Sequence, residues 1–223
     1  LALAGSGEYL PPMAEVDRWL MAQLAQPARV VCLATAAGTE GAERLAYWER
    51  LGLSHFESLG AASVKALPVY NRSGAESGIL TGEIEAANFV YLSGGKPAYL
   101  YQTLFHSPVW AAVEGLLARG GVVAGCSAGA MIFGGRIPSS LFSAGWLEGF
   151  GYLPGSAVLP HFDEFPALVT RALPLLEAGQ RLVGIDGSTA LICSAGGCQV
   201  RGRGGVTVMH GSARRVIRAG EQV

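Results

Sequence analysis

The 223-residue chain has few charged residues and almost no excess of either sign. Charged residues make up 15% of the chain, and its formal net charge is −1. A surface that binds nucleic acid needs concentrated Lys and Arg, so this composition argues against a nucleic-acid partner. No apolar run approaches the ~20 residues of a membrane-spanning helix, so we expect no membrane partner. The first residues also lack the basic flank of a signal peptide, so we expect a cytoplasmic protein.

Cysteine is scarce, with four residues in the whole chain: Cys32, Cys126, Cys193 and Cys198. The last two have four residues between them in a predicted hairpin, and no second pair has the ligand spacing of a zinc site. We therefore expect reduced, mostly buried thiols and neither a metal centre nor a disulfide. Nothing in the sequence requires a metal or an organic cofactor.

Apolar runs alternate with helical patterns, as in repeated β-α units. Strands are predicted at residues 1–4, 29–35, 88–92 and 121–124, with another short strand within residues 63–70. Helices are predicted at residues 13–24, 43–51, 98–105, 108–119 and 167–178, the second of them ending at Gly52. Strands without polar alternation indicate a mostly parallel sheet covered by helices on both faces, hence a three-layer α/β fold. Short segments at 181–185, 190–193, 198–201 and 206–209 predict an antiparallel or mixed C-terminal extension, all within one domain spanning residues 1–223.

The segment Gly125-Cys126-Ser127-Ala128-Gly129 follows the predicted strand 121–124 and precedes an apolar helical pattern. The Gly-x-Ser-x-Gly spacing between a strand and a helix is typical of a nucleophile elbow. Glycines on both sides let the backbone turn sharply, and the helix N-terminus offers free N–H groups to a developing oxyanion. A purely structural strand–helix turn is the alternative interpretation.

A glycine pair, Gly94-Gly95, follows the predicted strand 88–92 directly. In an open α/β sheet, ligands bind at the carboxyl ends of the strands, so this pair is expected near the elbow. The N–H of Gly95 is a candidate to complete an oxyanion hole with the N–H of Ala128, and Gly94 and Lys96 are candidate substrate-binding residues. A glycine-rich turn into a helix with Pro97 in its first turn explains the same residues structurally.

His161 follows the apolar segment 157–159, at another predicted strand end. A serine nucleophile needs a base for its proton, and neutral imidazole is the usual group. His161 is therefore the candidate base for Ser127. The three other histidines have weaker positions, in a polar helix–loop region, at a helix end and in the C-terminal strands: His55, His106 and His210.

Together these motifs resemble the dipeptidase E and cyanophycinase family of serine peptidases. The matching segments occur in family order over nearly the whole chain: Ser93–Leu100, Gly125–Ala130, Gly149–Gly155, His161-Phe162, and Gly184–Asp186 followed by Thr189–Leu191. The resemblance implies a fold like that of class I glutamine amidotransferases. It also implies that Ser127 is the nucleophile, His161 the general base, and the N–H groups of Gly95 and Ala128 the oxyanion donors.

The acid that orients the histidine departs from the family pattern. Dipeptidase E has an aspartate about fifteen residues after its serine, whereas residues 137–142 of this chain contain no carboxylate. Asp163 is the first candidate, because its spacing from His161 resembles the His-x-acid pattern of the related amidotransferases. Residues 161 and 163 would also have their side chains on one face if they lie on a strand end. Glu148 and Glu164 are the alternatives. Capping of the helix that follows is an equally good explanation of Asp163 and Glu164.

The resemblance implies hydrolysis of short peptides through an acyl-enzyme, by a monomer or a homodimer. Carboxypeptidase-type and cyanophycinase-like activities are alternatives, although the arginines that follow the histidine in cyanophycinases are absent here. Three cations are candidates for a substrate carboxylate: Lys96, Arg136 and Arg171. A non-catalytic binding protein that keeps the elbow as a scaffold is a further alternative. An amidotransferase-like role for Cys126 is disfavoured, because a residue before the elbow apex should point into the packing.

Overall fold

The computed structural model describes residues 1–138, 145–164 and 179–221. The strands within this part of the chain are β1 (Ala2–Ala4), β2 (Arg29–Leu33), β3 (Ser63–Ala66), β4 (Phe89–Leu92), β5 (Val122–Cys126), β6 (Gly134–Pro138), β7 (Trp146–Glu148), β8 (Leu153–Leu159), β9 (Arg181–Ile185), β10 (Thr189–Ser194), β11 (Gly197–Gly202), β12 (Gly205–His210) and β13 (Ala213–Arg218). The α-helices there are α1 (Ala14–Ala22), α2 (Ala42–Ser58), α3 (Arg72–Ala75), α4 (Gly78–Ala86), α5 (Pro97–Leu104), α6 (Pro108–Ala118) and α7 (Ala128–Met131).

The first sheet has the strand order β11-β10-β1-β5-β4-β2-β3. Its five strands from β1 to β3 run parallel, and β10 and β11 extend it antiparallel. Successive residues of β4 alternate between two buried clusters: Phe89 and Tyr91 pack with α1 and α2, and Val90 and Leu92 with α5 and α6. Helices therefore cover both faces, which confirms the predicted mostly parallel α/β fold.

A second sheet, in the order β13-β12-β9-β8-β6-β7, is the main difference from the expected C-terminal extension. Only β10 and β11 extend the first sheet. In the second sheet, β12 pairs with β13 and with β9, and β9 pairs with β8, which follows the elbow. Buried residues of the second sheet, including Val158, Val183 and Val206, belong to the same core cluster as Val90 of β4. Short apolar strands look alike in sequence, and only this long-range packing decides which sheet each one joins.

Helix α2 continues through Gly52 to Ser58, so the expected end at Gly52 was wrong. A Cβ at Gly52 would lie 2.9 Å from Cys32 Sγ, so the glycine allows the helix to approach the sheet and does not end it. Helices α3 and α4 had not been predicted. The expected helix at 167–178 lies outside the described residues.

Cys193 and Cys198 form a disulfide, so the expectation of reduced thiols was wrong for this pair. They are directly opposite each other in the β10–β11 hairpin, a pairing that the sequence spacing did not specify. Cys32 and Cys126 are free and buried, as expected. Among the described residues, none of the helices is both long enough and apolar enough to span a bilayer.

Candidate active site

Ser127 stands at a sharp turn between β5 and α7, with φ 52° and ψ −113°. The Ser127 N–H donates to Ala4 O at 3.0 Å, which ties the turn to the neighbouring strand β1. A Cβ at Gly125 would lie 2.2 Å from Gly129 O, and one at Gly129 would lie 2.3 Å from Leu92 O. Only glycine fits at either position, and the strained backbone presents the serine at the strand's carboxyl end.

The His161 ring lies between the hydroxyl of Ser127 and a carboxylate. Its Nε2 is 3.2 Å from Ser127 Oγ, and its Nδ1 is 2.8 Å from Glu164 Oε2. With the proton on Nδ1, the ring donates to the carboxylate and accepts from the serine hydroxyl. The two residues thus meet from separate sheets, since Ser127 follows β5 and His161 follows β8.

Glu164, and not Asp163, is the carboxylate beside His161. The Glu164 N–H donates to His161 O, so residues 161–164 form a turn and not the extended strand end that favoured Asp163. Asp163 Oδ1 instead accepts the N–H of Gly187 at 2.7 Å. Glu148 lies on β7, where its Cα is paired with that of Arg136.

Ser6 supports Glu164 from the loop after β1. Its hydroxyl donates to Glu164 Oε1 at 2.8 Å, so both carboxylate oxygens have partners. The hydrogen bond from His161, aided by the one from Ser6, lowers the pKa of Glu164 although partial burial opposes the shift. The carboxylate is therefore ionised near neutral pH. Sequence reasoning missed Ser6, although Gly5-Ser6-Gly7 directly after a strand is the kind of small-residue turn that often lies at such sites.

Two backbone N–H groups near Ser127 have no acceptor in the described part of the chain, those of Gly95 and Ala128. Gly95 is exposed with φ 142°, and a Cβ there would lie 2.5 Å from Ala36 O. Only glycine suits this conformation, which leaves its N–H open to a ligand. These are the two donors that the sequence predicted for an oxyanion hole.

The two predicted substrate-binding residues have internal partners. The Gly94 N–H donates to Glu8 Oε1 at 3.1 Å, so this donor is not open to a ligand. The exposed Lys96 donates from Nζ to Thr39 Oγ1 at 2.9 Å. Of the other candidate cations, Arg136 lies on β6 and Arg171 lies outside the described residues.

Cys126 is fully buried, and its Sγ donates to Glu8 Oε2 at 3.1 Å. Burial, with the negative charge of Glu8 as the next cause, raises the pKa of this thiol well above its ordinary value. This is the inward orientation expected for the residue before the elbow apex. Glu8 itself was missed by sequence reasoning, although a lone glutamate among small and apolar residues was a usable signal.

The sequence predicted His55 in a polar helix–loop region, and the structure differs. His55 lies buried within α2, and its Nε2 is 2.8 Å from Oδ2 of the buried Asp17. Burial raises the pKa of Asp17, and the hydrogen bond with His55 partly opposes that shift. His106 follows α5 and His210 ends β12, so neither stands at the Ser127 turn.

A family model and several known proteins are similar to this chain. Residues 1–200 match the model of Peptidase family S51. The chain belongs to peptidase family S51. The cyanophycinases of Trichormus variabilis and of a Nostoc species are each 30% identical to it over 167 residues, which is 69% of this chain. That match covers 55% of each relative, so the chain corresponds to about half the length of these cyanophycinases.

Two solved structures extend the family comparison to the fold. A peptidase from an acI-B1 Actinobacterium has 34% identity and a TM-score of 0.89, over 100% of this chain and 95% of that one. A peptidase E candidate from Listeria monocytogenes EGD-e has 18% identity and a TM-score of 0.64, over 97% and 96% of the two chains. The second likeness concerns the fold alone.

Proposed function

We propose that the protein is a serine peptidase that hydrolyses short peptides through an acyl-enzyme. One observation carries the proposal: an unbroken line of hydrogen bonds runs from Ser127 through His161 to Glu164. Nucleophile, base and orienting acid in this order are the working parts of a catalytic triad. Glu164 takes the role first assigned to Asp163.

In the first step, Ser127 Oγ attacks the carbonyl carbon of the scissile peptide bond. His161 Nε2 takes the hydroxyl proton, and Glu164 stabilises the resulting imidazolium through Nδ1. The N–H groups of Gly95 and Ala128 then donate to the oxyanion. Both are backbone donors fixed before substrate binds, so their orientation costs no reorganisation during the reaction.

Collapse of the tetrahedral intermediate breaks the C–N bond, and His161 gives its proton to the departing amine. The acyl group stays on Ser127 as an ester. A water molecule then attacks this ester while His161 takes its proton, and the second collapse returns the proton to Ser127 Oγ. The cycle consumes one water molecule, releases an amine and a carboxylic acid, and returns Ser127 and His161 to their starting states.

A serine-reactive fluorophosphonate tests the nucleophile without knowledge of the substrate. The reaction forms a bond from Ser127 Oγ to phosphorus and expels fluoride, while the hydroxyl proton passes to His161. We expect peptide mapping to find one label, on Ser127, and we expect Ser127→Ala to abolish it. Ser63→Ala, at an exposed serine on β3, is the matched control and should label like the wild type. An unlabelled Ser127 in folded protein contradicts the proposal.

A panel of dipeptides and tripeptides, blocked at either end, tests the substrate class. Cleavage that needs a free N-terminus supports a dipeptidase E-like activity, and cleavage that needs a free C-terminus supports a carboxypeptidase-type activity. Cyanophycin is included because the similar proteins from Trichormus variabilis and Nostoc are cyanophycinases. If the wild type binds peptides without cleaving any of them, and Ser127→Ala binds them equally well, the non-catalytic alternative is favoured.

A further inference from the structure

The loop after β1 places a buried carboxylate beneath the candidate active site. Glu8 is 9% exposed, yet no Lys or Arg of the described residues forms an ion pair with it. Burying a charge without an opposite charge is costly, and such departures from ordinary core composition concentrate at functional sites. The triad does not use Glu8, so its burial needs a separate explanation.

Both oxygens of Glu8 accept hydrogen bonds from residues next to the reacting groups. Oε1 accepts the Gly94 N–H at 3.1 Å, and Oε2 accepts from Cys126 Sγ at 3.1 Å. A Cβ on Gly94 would lie 2.7 Å from Oε1 and 3.7 Å from Ser127 Oγ. Glu8 therefore packs against the side of the Gly94-Gly95 turn that faces the nucleophile. Since its oxygens already bind donors of the protein, it is not a substrate ligand.

Tyr9, the next residue, holds the preceding part of the same turn. Its hydroxyl is 2.9 Å from Ser93 Oγ, and both groups are buried. The Tyr9 ring packs against Tyr91 and Phe56, with centroid distances of 4.9 and 6.1 Å. Its φ of 61° is uncommon for a non-glycine residue and is one that the surrounding packing must maintain. The side chains of Glu8 and Tyr9 thus form hydrogen bonds with Gly94 and Ser93, and the Tyr9 ring is fixed by its packing in the core.

We propose that Glu8 is a positioning residue, whose carboxylate holds the Gly94-Gly95 turn so that the Gly95 N–H points to the oxyanion. The inference rests on the proposed serine peptidase chemistry. Removal of an oxyanion-hole donor lowers rates by about 10²–10³-fold. Loss of Glu8 leaves the Gly95 donor in place but unsupported, so we expect a smaller loss, about 10–100-fold in the rate of Ser127 acylation.

Glu8→Met and Glu8→Gln separate the hydrogen bond from the space that the side chain fills. Methionine nearly matches the volume but accepts no strong hydrogen bond, whereas glutamine keeps an acceptor for the Gly94 N–H. The readouts are the rate constant of Ser127 labelling by a fluorophosphonate and, for any peptide cleaved, kcat and KM separately. We expect Glu8→Met to lose about 10–100-fold in labelling rate and in kcat with little change in KM, and Glu8→Gln to stay within about fivefold. Glu83→Gln, at a glutamate on α4 remote from the Ser127 turn, is the control for the change of charge.

Amide hydrogen exchange of the wild-type protein gives a test that does not depend on a variant folding. The Gly94 N–H should exchange far more slowly than the exposed Gly95 N–H. Equal exchange at the two glycines overturns the inference. It is also overturned if folded Glu8→Met is labelled at a rate within about twofold of wild type, or if Glu8→Gln is labelled as slowly as Glu8→Met. If wild-type Ser127 is not labelled at all, both the proposed function and this inference are wrong. A labelled wild type with an unaffected Glu8→Met overturns this inference alone.

Discussion

Substitution of the two adjacent carboxylates, Glu164→Gln and Asp163→Asn, identifies the acid that orients His161. Glu164 Oε2 lies 2.8 Å from His161 Nδ1, whereas Asp163 Oδ1 accepts the Gly187 N–H. Each substitution replaces one carboxylate oxygen with an NH2 group, which removes the negative charge and keeps the shape of the side chain. Because the residues are neighbours in sequence and both are exposed, each variant is the control for the other.

The structure gives the size of the expected loss. A hydrogen bond between charged groups contributes about 1.5–3 kcal/mol, and glutamine at 164 also loses the charge that stabilises the imidazolium. The Glu164 side chain is 43% exposed, so solvent weakens this charge effect compared with a buried aspartate. We therefore expect Glu164→Gln to cost about 2–4 kcal/mol of transition-state stabilisation, roughly 30–1,000-fold in kcat/KM. Asp163→Asn should stay within about threefold of wild type, because it keeps an acceptor for Gly187.

The assay is kcat/KM on the best peptide from the panel, with the rate of Ser127 labelling as a second readout. Thermal unfolding of both variants checks that each is folded at the assay temperature. A larger loss for Asp163→Asn than for Glu164→Gln would refute the assignment of Glu164. Equal and small losses would show that the carboxylate contributes little and that His161 is oriented by other groups.

Two further predictions concern pH and the buried thiols. Because hydrogen bonds lower the pKa of Glu164 in the folded protein, its contribution to stability is present above its ordinary pKa of 4.5 and is lost as pH falls through the lower folded value. Urea unfolding should therefore show the wild type losing free energy of unfolding more steeply below pH 4.5 than Glu164→Gln, and parallel curves would contradict this. Burial raises the pKa of Cys32 to about 12 and that of Cys126 well above its ordinary value, so iodoacetamide at about pH 8 should modify both only after unfolding. Rapid alkylation of Cys126 in the folded protein would instead support the amidotransferase-like alternative, in which Cys126 is the nucleophile.

Sequence reasoning was most successful where the chemistry is local. The turn at Ser127 depends on glycines at 125 and 129. A Cβ at 125 would clash with the backbone of the turn itself, and one at 129 would clash with the end of the adjacent strand β4. A strand that ends on small residues can be identified from a short segment of sequence. In a parallel sheet, the carboxyl ends of such strands lie at the same edge of the sheet. For this reason the amino-acid pattern is enough to predict that Ser127, Gly95 and Ala128 share one site.

It was least successful where a contact depends on the conformation of a turn. Asp163 was favoured because a strand end was assumed at residues 161–164, and an i, i+2 pair shares a face only on a strand. The observed turn brings i and i+3 together, so Glu164 meets His161. Ser6 and Glu8 were missed for a different reason, because they lie 158 and 86 residues in sequence from their partners Glu164 and Gly94.

The sequence by itself determined the parallel α/β sheet and the serine at a strand–helix turn, and it indicated His161 as the candidate base. These follow from periodicity and from steric limits within a few residues. The tertiary structure alone decided which carboxylate faces His161, that β9, β12 and β13 join a second sheet, and that Cys193 pairs with Cys198. It also brought Glu8 beneath the Gly94-Gly95 turn. The second sheet and the position of Glu8 depend on packing between residues far apart in the chain. The Glu164 contact and the Cys193–Cys198 pair depend on the conformation of a turn and the register of a hairpin, which the amino-acid pattern does not fix.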